Sequence, residues 1–433
     1  MKRLLRPALI VLVVVGIPLL AIGLPTFVLP LLSAEEAVTA RRVGNAARTR
    51  VAAREKSASR DNGYEFLARM VNAKPPKPGK KPPDNPYVAL AAYNAVTRAD
   101  ITQKVSADGA RDKKRLRAFQ KVLPRLEAAI LAPNFVYPSH YREAGTATPT
   151  NLAPLIAMGD SLRVLGADRE NAGRPRDALR CYALAVVLGE RLGGQGNLAG
   201  LRASLTIQAR AVEALLTILP TFEPDAATTS EALAMLKREP LSPSDFVRAM
   251  DEEFAERMRM FDRLLGREIS PDDLVGIKES PSMMGRWLLK AGLTVDRERR
   301  LYIGYVLRYR PNMERLVDPP ANGPTMDRLK MHSAYHSTLS VNLIPDFVEL
   351  QSRFREVQSA VAAAEILLTV QLHRERKGVY PRSLPRSASR ATIARDGKFE
   401  YSADDGGVTL KCTTTREPRT YTGRRAVYFR YRY

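Results

Sequence analysis

Cysteine, histidine and tryptophan are scarce in this sequence. Its 433 residues include two cysteines, four histidines and one tryptophan. Two cysteines cannot build the disulfide framework of a small secreted domain, and four histidines leave little material for a metal centre or a histidine-based mechanism. His332 and His336 have a spacing that can bind zinc, but Ser333 stands where the H-E-x-x-H motif has Glu. We therefore expect neither a metal nor a cofactor.

Other catalytic patterns are missing as well. The chain has no Gly-rich phosphate loop and no Gly-x-Ser-x-Gly nucleophile elbow. Asp404-Asp405-Gly406 lacks the alternating ligands of a calcium loop and is more typical of a hairpin turn. The acidic cluster at 251–256 is flanked by Arg248 and Arg257, which indicates solvated ion pairs on a helix. These absences predict a protein that is not an enzyme, while residue order alone leaves open a site assembled from unmarked residues.

The chain has a globular composition and is strongly basic. Apolar residues make up 45% and charged residues 26%, and 68 Lys and Arg against 46 Asp and Glu give a net charge of +22. Residues 374–433 contain fifteen basic and six acidic residues, interleaved with tyrosines. Such a surface suits anionic lipid headgroups, acidic cell-wall polymers or single-stranded nucleic acid, although arginines that are merely solvated would produce the same count.

The N-terminus predicts a membrane anchor over residues 1–34. Ala8–Leu32 is an uncharged run of 25 residues, longer as a helix than the roughly 30 Å hydrocarbon core of a bilayer. A cleaved signal peptide has an apolar stretch of only about 7–15 residues, so we favour an uncleaved single span, with a cleaved signal as the alternative. The basic N-terminus favours a short cytoplasmic tail and an extracytoplasmic body. The arginines that follow the span, from Arg41 onward, make the reverse topology the alternative.

Four further segments follow the anchor. Residues 35–73 have an Ala/Arg-rich pattern typical of a juxtamembrane helix, and residues 74–86 form a Pro/Lys-rich loop. Residues 87–344 carry apolar side chains at steps of three and four, which predicts an all-α body of helical hairpins. Residues 345–433 begin with a long helix to Lys377. The predicted fold class is mainly α, an irregular helical-hairpin array with a small C-terminal antiparallel β-meander.

One stretch of the helical body resembles the second half of a tetratricopeptide unit. A turn at 172–174 precedes Pro175, and small residues at Ala178 and Ala185 surround Tyr182 in a G-x-x-x-x-A-L-x-x-Y-x-x-A pattern. The period of about 34 residues that such arrays require does not surround it, so the resemblance implies one helical hairpin and no regular solenoid. Tyr182 becomes a candidate partner-binding residue.

After Lys377 the apolar pattern changes from helical to alternating. Residues 398–402 and 408–413 alternate around a turn at 403–407, which predicts a β-hairpin. Val427–Tyr433 alternates again and predicts a third strand. The basic and aromatic side chains around this last strand are candidate contacts for a partner: Arg424, Arg425, Tyr428, Arg430 and Arg432.

The junction between helix and hairpin resembles the G-x-Y-P-x-S-L junction of pseudopilin-type modules, in which a long helix leads into a small antiparallel sheet. The residues that carry the resemblance are Gly378, Tyr380, Pro381 and Leu384. We expect Gly378 to end the helix in a left-handed conformation and Tyr380 to pack back on the helix. With the anchor and the helical body, the chain is similar to uncharacterised bacterial membrane-anchored proteins, and no catalytic residue comes with this resemblance. The sequence lacks the glycine and glutamate of a prepilin leader, which argues against a pilin subunit.

These patterns predict a non-enzymatic scaffold or interaction protein, anchored in the bacterial inner membrane with its body facing the envelope. The expected partners are the membrane, other envelope proteins, and anionic lipid or cell-wall polymer. Two alternatives stay open, namely a component of a secretion or pilus-type machine and a cytoplasm-facing nucleic-acid binder. Cys181 and Cys412 are expected as buried thiols, with a disulfide between them as the alternative.

Overall fold

The computed structural model describes residues 34–57, 62–64, 67, 110–136, 152–195, 198–221, 225–238, 240–270, 295–316, 347–384, 399–404, 407–412 and 419–422. Its helices are α1 (Ala34–Ser57), α2 (Ala110–Ile130), α3 (Ala153–Asn171), α4 (Pro175–Gly193), α5 (Leu198–Ile218), α6 (Ala226–Leu236), α7 (Pro243–Leu265), α8 (Val295–Arg315) and α9 (Phe347–Lys377). Its strands are β1 (Phe399–Asp404), β2 (Gly407–Cys412) and β3 (Arg419–Thr422). The predicted fold class is confirmed in its coarse form, a mainly helical chain that ends in a small antiparallel sheet.

Two predicted segments lie outside the described residues, namely the membrane span at Ala8–Leu32 and the Pro/Lys-rich loop at 74–86. Among the helices that the structure does describe, none has the length and apolarity that crossing a bilayer requires. The anchor therefore stays a prediction from the sequence.

A tight turn joins α3 to α4 and makes the two helices neighbours. Gly173 occupies the turn with φ +70°, a left-handed conformation that glycine adopts without steric cost, and Pro175 begins α4 as predicted. Apart from Arg180, every residue of α4 from Ala178 to Gly193 is buried. Helices α2, α3, α5 and α6 all contact α4, so it is the centre of the largest apolar cluster.

Helix α9 takes part in all three apolar clusters of the described chain. Its first half packs Phe347 and Phe354 with α1, α5, α7 and α8. Its middle adds Val361 and Ala364 to the cluster around α4. Its second half packs Ile366 and its neighbours against β1, β2 and the end of α5. Residues 357–368 are buried without a break, which requires neighbours on every side of the helix.

Buried amide groups set the register of α9 against the neighbouring helices. Gln358 donates from Nε2 to Oε1 of Gln208 on α5 at 2.8 Å, and Gln208 donates to Ser204 Oγ at 2.7 Å. Nearer the start of α9, Gln351 Oε1 accepts from the Tyr309 hydroxyl on α8 at 3.2 Å. Because an unpaired buried amide costs about 1–3 kcal/mol, sliding α9 by one turn would be unfavourable at both places.

Ion pairs attach α1 to α7 and α8. The carboxylate of Asp251 on α7 is buried and accepts from Arg310 on α8, with Nε–Oδ1 at 2.9 Å and Nη2–Oδ2 at 3.1 Å. Arg50 on α1 approaches the same carboxylate, with Nη2–Oδ2 at 3.3 Å. Near the start of α1, Glu36 pairs with Arg308 at 3.3 Å. Apolar contact on this face comes from the buried Ala40 and Ala47 and from the partly buried Val43, which packs against the same cluster as α7 and α8.

The sheet is a meander in the order β1–β2–β3, with both strand pairs antiparallel. Asp404 pairs with Gly407, so the predicted hairpin is confirmed, and its strands extend further toward the turn than the sequence indicates. The third described strand is Arg419–Thr422, whereas the third strand predicted at Val427–Tyr433 lies outside the described residues.

Helix α8 continues through a proline: it runs from Val295 to Arg315 and includes Pro311. Met313, beyond the proline, is fully buried in the second cluster. Tertiary packing of the last turn outweighs the backbone hydrogen bond that proline cannot make.

The ion pairs of Asp251 give a testable prediction. We expect Asp251→Asn to lower the free energy of unfolding by about 2 kcal/mol, because two guanidinium groups would then face a neutral amide. The loss is smaller than for a fully buried pair because the Arg50 and Arg310 side chains are 38% and 27% exposed. Urea unfolding of the full chain in detergent, followed by circular dichroism, measures the change.

Glu314→Gln is the matched control, since Glu314 pairs with the same Arg310 but its side chain is 48% exposed. This variant should change stability by less than about 0.5 kcal/mol. Equal losses in both variants would show that the buried carboxylate has no special part in holding these helices together.

Candidate interaction surface at the end of α9

Helix α9 ends where the sequence predicts. Gly378 has φ +77°, and its N–H donates to the Arg374 carbonyl at 2.6 Å. A side chain in this left-handed conformation would be strained, so glycine lets the chain leave the helix directly after Lys377. The predicted left-handed helix end at Gly378 is confirmed.

The residues after Gly378 fold back onto the helix and the sheet. The Arg374 guanidinium lies 4.8 Å from the centre of the Tyr380 ring, and its Nη1 donates to the Tyr380 hydroxyl at 3.0 Å. Tyr380 and Leu384 both pack against the cluster formed by α9 and the sheet. The predicted packing of Tyr380 on the helix is therefore confirmed.

The sheet is tied to this junction by one partly buried hydrogen bond. The Tyr401 hydroxyl on β1 donates to the Pro381 carbonyl at 2.7 Å, and Pro381 is buried. Burial raises the pKa of Tyr401 to about 12, so this phenol stays protonated and available as a donor at neutral pH. Helix, junction and sheet thus form one packed module.

Three exposed cations surround the turn at the end of α9. Arg376, Lys377 and Arg382 are exposed, and between them Val379 is 63% exposed. We call these four residues the basic tip. Within the described part of the chain, no ion pair involves any of the three cations. The tip therefore presents positive charge around one apolar side chain, which suits an anionic surface or polymer.

The candidate binding residues named from the sequence do not gather at one described site. Tyr182 is buried, and its hydroxyl donates to Glu170 at 3.1 Å. Its ring packs closely on Gly166 of α3, where a Cβ added to the glycine would lie 2.3 Å from Cε1 of Tyr182. Its position gives it a packing role in the hairpin. The other five lie outside the described residues: Arg424, Arg425, Tyr428, Arg430 and Arg432.

The basic tip is not among the candidate binding residues that the sequence marks. Its cations fall within the basic region 374–433, which the sequence indicates only as a whole. Its signal was the density of cations in the last helical turn beside Gly378, a position where positive charge is also favoured by the helix dipole. Because the helix dipole alone explains cations at this position, the sequence pattern does not by itself indicate a binding site.

The acidic cluster of α7 is used for helix packing. Asp251 bridges Arg50 and Arg310, and the Glu253 carboxylate accepts from Arg257 Nε at 2.8 Å. Both hydrogen bonds to Asp251 raise the pKa of Arg310, as expected for a cation held by a carboxylate. In the residues that the structure describes, no three His, Cys, Asp or Glu side chains come close enough to hold a metal ion. His332 and His336 lie outside them.

Cys181 is a free, buried thiol inside α4. Burial raises its pKa to about 11, partly offset by Arg169, whose Nη1 lies 3.5 Å from Sγ. The expectation of a buried thiol is confirmed for Cys181, while the side chain of Cys412 lies outside what the structure describes.

In comparisons with known proteins, no family model, no curated protein and no solved structure matches the chain.

The end of α9 gives a second prediction. Gly378 has open space around its Cα, so replacing it with alanine tests backbone conformation alone. We expect Gly378→Ala to destabilise the chain by about 1 kcal/mol, since alanine is strained at φ +77°. The urea unfolding midpoint measures the loss.

Gly44→Ala is the control, because this glycine also has open space but lies inside helix α1. Here alanine should stabilise by about 0.5–1 kcal/mol, as it does in helix interiors. The same substitution is thus expected to have opposite signs at the two positions. A Gly378→Ala variant as stable as the parent would contradict the left-handed helix end.

Burial of Cys181 gives a third prediction. With a pKa of about 11, about one thiol in a thousand is ionised at pH 8, and the side chain is enclosed. Iodoacetamide should therefore leave Cys181 unmodified in the native protein and label it fully in urea. Peptide mass spectrometry without a reductant checks both points and would detect a disulfide with Cys412. Rapid native labelling would show that α4 opens readily.

Proposed function

We propose that the protein is a non-enzymatic, membrane-anchored scaffold of the bacterial envelope, which presents its C-terminal module to a partner away from the bilayer. The observation that supports this proposal is the course of α9. Its first half packs in the cluster that contains Ala40 of α1, and its last turn carries the basic tip.

The length of α9 separates the cluster around its first half from the basic tip. Residue 352 lies in the middle of the part that shares a cluster with α1, and Gly378 follows 26 residues later along the chain. At about 1.5 Å per residue, the basic tip lies about 40 Å along the helix axis from that point. Helix α1 begins two residues after the predicted span, and Ala40 of α1 shares a cluster with the first half of α9, which supports an anchor far from the tip.

The separation favours a partner in the envelope over the lipid that surrounds the anchor. Unpaired cations act over about 8–10 Å at physiological salt, much less than this distance. We therefore propose an anionic cell-wall polymer or an acidic envelope protein as the partner of the basic tip. The α3–α4 hairpin, with Tyr182 packed on Gly166, supports one tetratricopeptide-like hairpin within the body.

Reporters fused after Tyr433 test the topology of this proposal. Alkaline phosphatase is active only outside the cytoplasm and green fluorescent protein fluoresces only inside it, so phosphatase activity is the expected result. Fluorescence without phosphatase activity would contradict the proposal. It would favour the nucleic-acid alternative, which predicts salt-sensitive retention of oligonucleotides by the full chain in detergent.

The junction at the end of α9 favours a second candidate, a component of a secretion or pilus-type machine. The support is local: a left-handed Gly378, Tyr380 on the helix, and Tyr401 bonded to Pro381 form a helix-to-sheet connection like the one expected from the pseudopilin resemblance. The two candidates differ in the protein that should lie beside the tip.

Site-specific photocrosslinking in cells separates them. A crosslinking amino acid at Val379 should capture a secretion-machine protein under the second candidate, and an envelope polymer or another protein under the first. The same amino acid at Leu265, which is 41% exposed at the end of α7, is the control for chance collisions. Equal products from both positions would remove the basic tip as a specific contact.

A further inference from the structure

Helix α1 has one face on the body and one free face. The buried residues Ala40, Gly44 and Ala47 form the first. The second face is exposed between residues 38 and 52, and its members recur at steps of three and four: Val38, Arg41, Arg42, Asn45, Arg48, Thr49 and Ala52. We call this set the free face of α1.

The free face carries positive charge from Arg41 to Arg48, and the exposed carboxylate of Glu35 lies one turn before Val38 at the start of the helix. Residues 37–53 contain no Asp or Glu. Arg50 is held by Asp251 on the body side, whereas no ion pair in the described residues involves Arg41 or Arg42. Arg50 therefore pairs with the body, whereas Arg41 and Arg42 face solvent.

The body fixes where these arginines lie. Glu36–Arg308 and Arg50–Asp251 attach α1 near both ends, so the helix cannot turn its free face inward without breaking both pairs. Arg41 follows Ala34 by seven residues, a rise of about 10 Å along a helix. Helical side chains lean toward the N-terminus of their helix, so we expect the side chains of Arg41 and Arg42 to extend toward the start of α1 at Ala34.

An apolar side chain lies on the same face, closer to that run. Val38 is 55% exposed and precedes Arg41 by one turn. An apolar residue nearer the bilayer and cations one turn further out match the order of acyl chains and headgroups at a membrane surface.

We propose that Arg41 and Arg42 bind the headgroups of anionic phospholipids in the leaflet from which α1 emerges. The inference rests on the proposed anchor. Charge complementarity and the short distance from the uncharged run to Arg41 determine the choice of a lipid partner. The contact would fix the tilt of the body relative to the membrane, because α1 is attached to α7 and α8.

Lipid retention by the full-length protein tests the proposal. The protein is reconstituted in vesicles of equal parts phosphatidylcholine and phosphatidylglycerol, released in mild detergent, and its bound lipids are counted by native mass spectrometry. The parent should carry more phosphatidylglycerol than phosphatidylcholine. In the double variant Arg41→Gln/Arg42→Gln, the ratio of bound phosphatidylglycerol to bound phosphatidylcholine should fall about fivefold for each arginine removed.

Arg117→Gln/Arg125→Gln is the matched control, since both residues are exposed on α2 and the variant has the same net charge. It should retain the preference of the parent. An equal loss in both variants, or a parent that binds the two lipids equally, would overturn the inference.

Carbonate extraction of the vesicles distinguishes failure of the proposed headgroup contact from failure of the proposed anchor. A chain that resists extraction but shows no lipid preference overturns the headgroup contact and leaves the proposed anchoring intact. A chain that carbonate removes overturns both.

Discussion

Burial of α9 on every side is the constraint on which the described fold depends. The twelve residues from 357 to 368 have no exposed member, and the helix contributes to all three apolar clusters. A helix that is apolar all round needs neighbours in every direction, which the helices and the sheet supply together. Small residues from Ala360 to Ala364 let these neighbours approach closely, and Gln351 and Gln358 fix their register.

Arginine has two different roles in this strongly basic chain. Several arginines fasten helices to each other: Arg180 joins α4 to Glu127 on α2 and Glu231 on α6, and Arg310 joins α8 to Asp251 on α7. These charges are neutralised where they lie and offer little to a partner. Within the described residues, the free face of α1 and the basic tip are two places where packing leaves positive charge exposed. A net charge of +22 therefore overstates the binding surface.

Much of the local structure could be predicted from residue types. Gly378 and Pro175 act through backbone preferences that need no distant partner, and each lies where the pattern indicates. The continuation of α8 through Pro311 and the short strand Arg419–Thr422 do not follow from residue types, because packing of Met313 and pairing with β2 decide them. The sequence makes Tyr182 a candidate binding residue, and the structure shows in addition that its ring packs on Gly166, sixteen residues earlier.

By itself, the sequence determined the fold class, the helix ends at glycine and proline, the hairpin, and the scarcity of residues for metal or histidine chemistry. These follow from composition and from interactions within a few residues. Only the tertiary structure decided which charges are paired, which aromatic residue is buried, and that α1 and the basic tip belong to opposite ends of α9. Pairing and burial depend on groups far apart in the chain, such as Arg50 and Asp251, and no local pattern specifies their meeting.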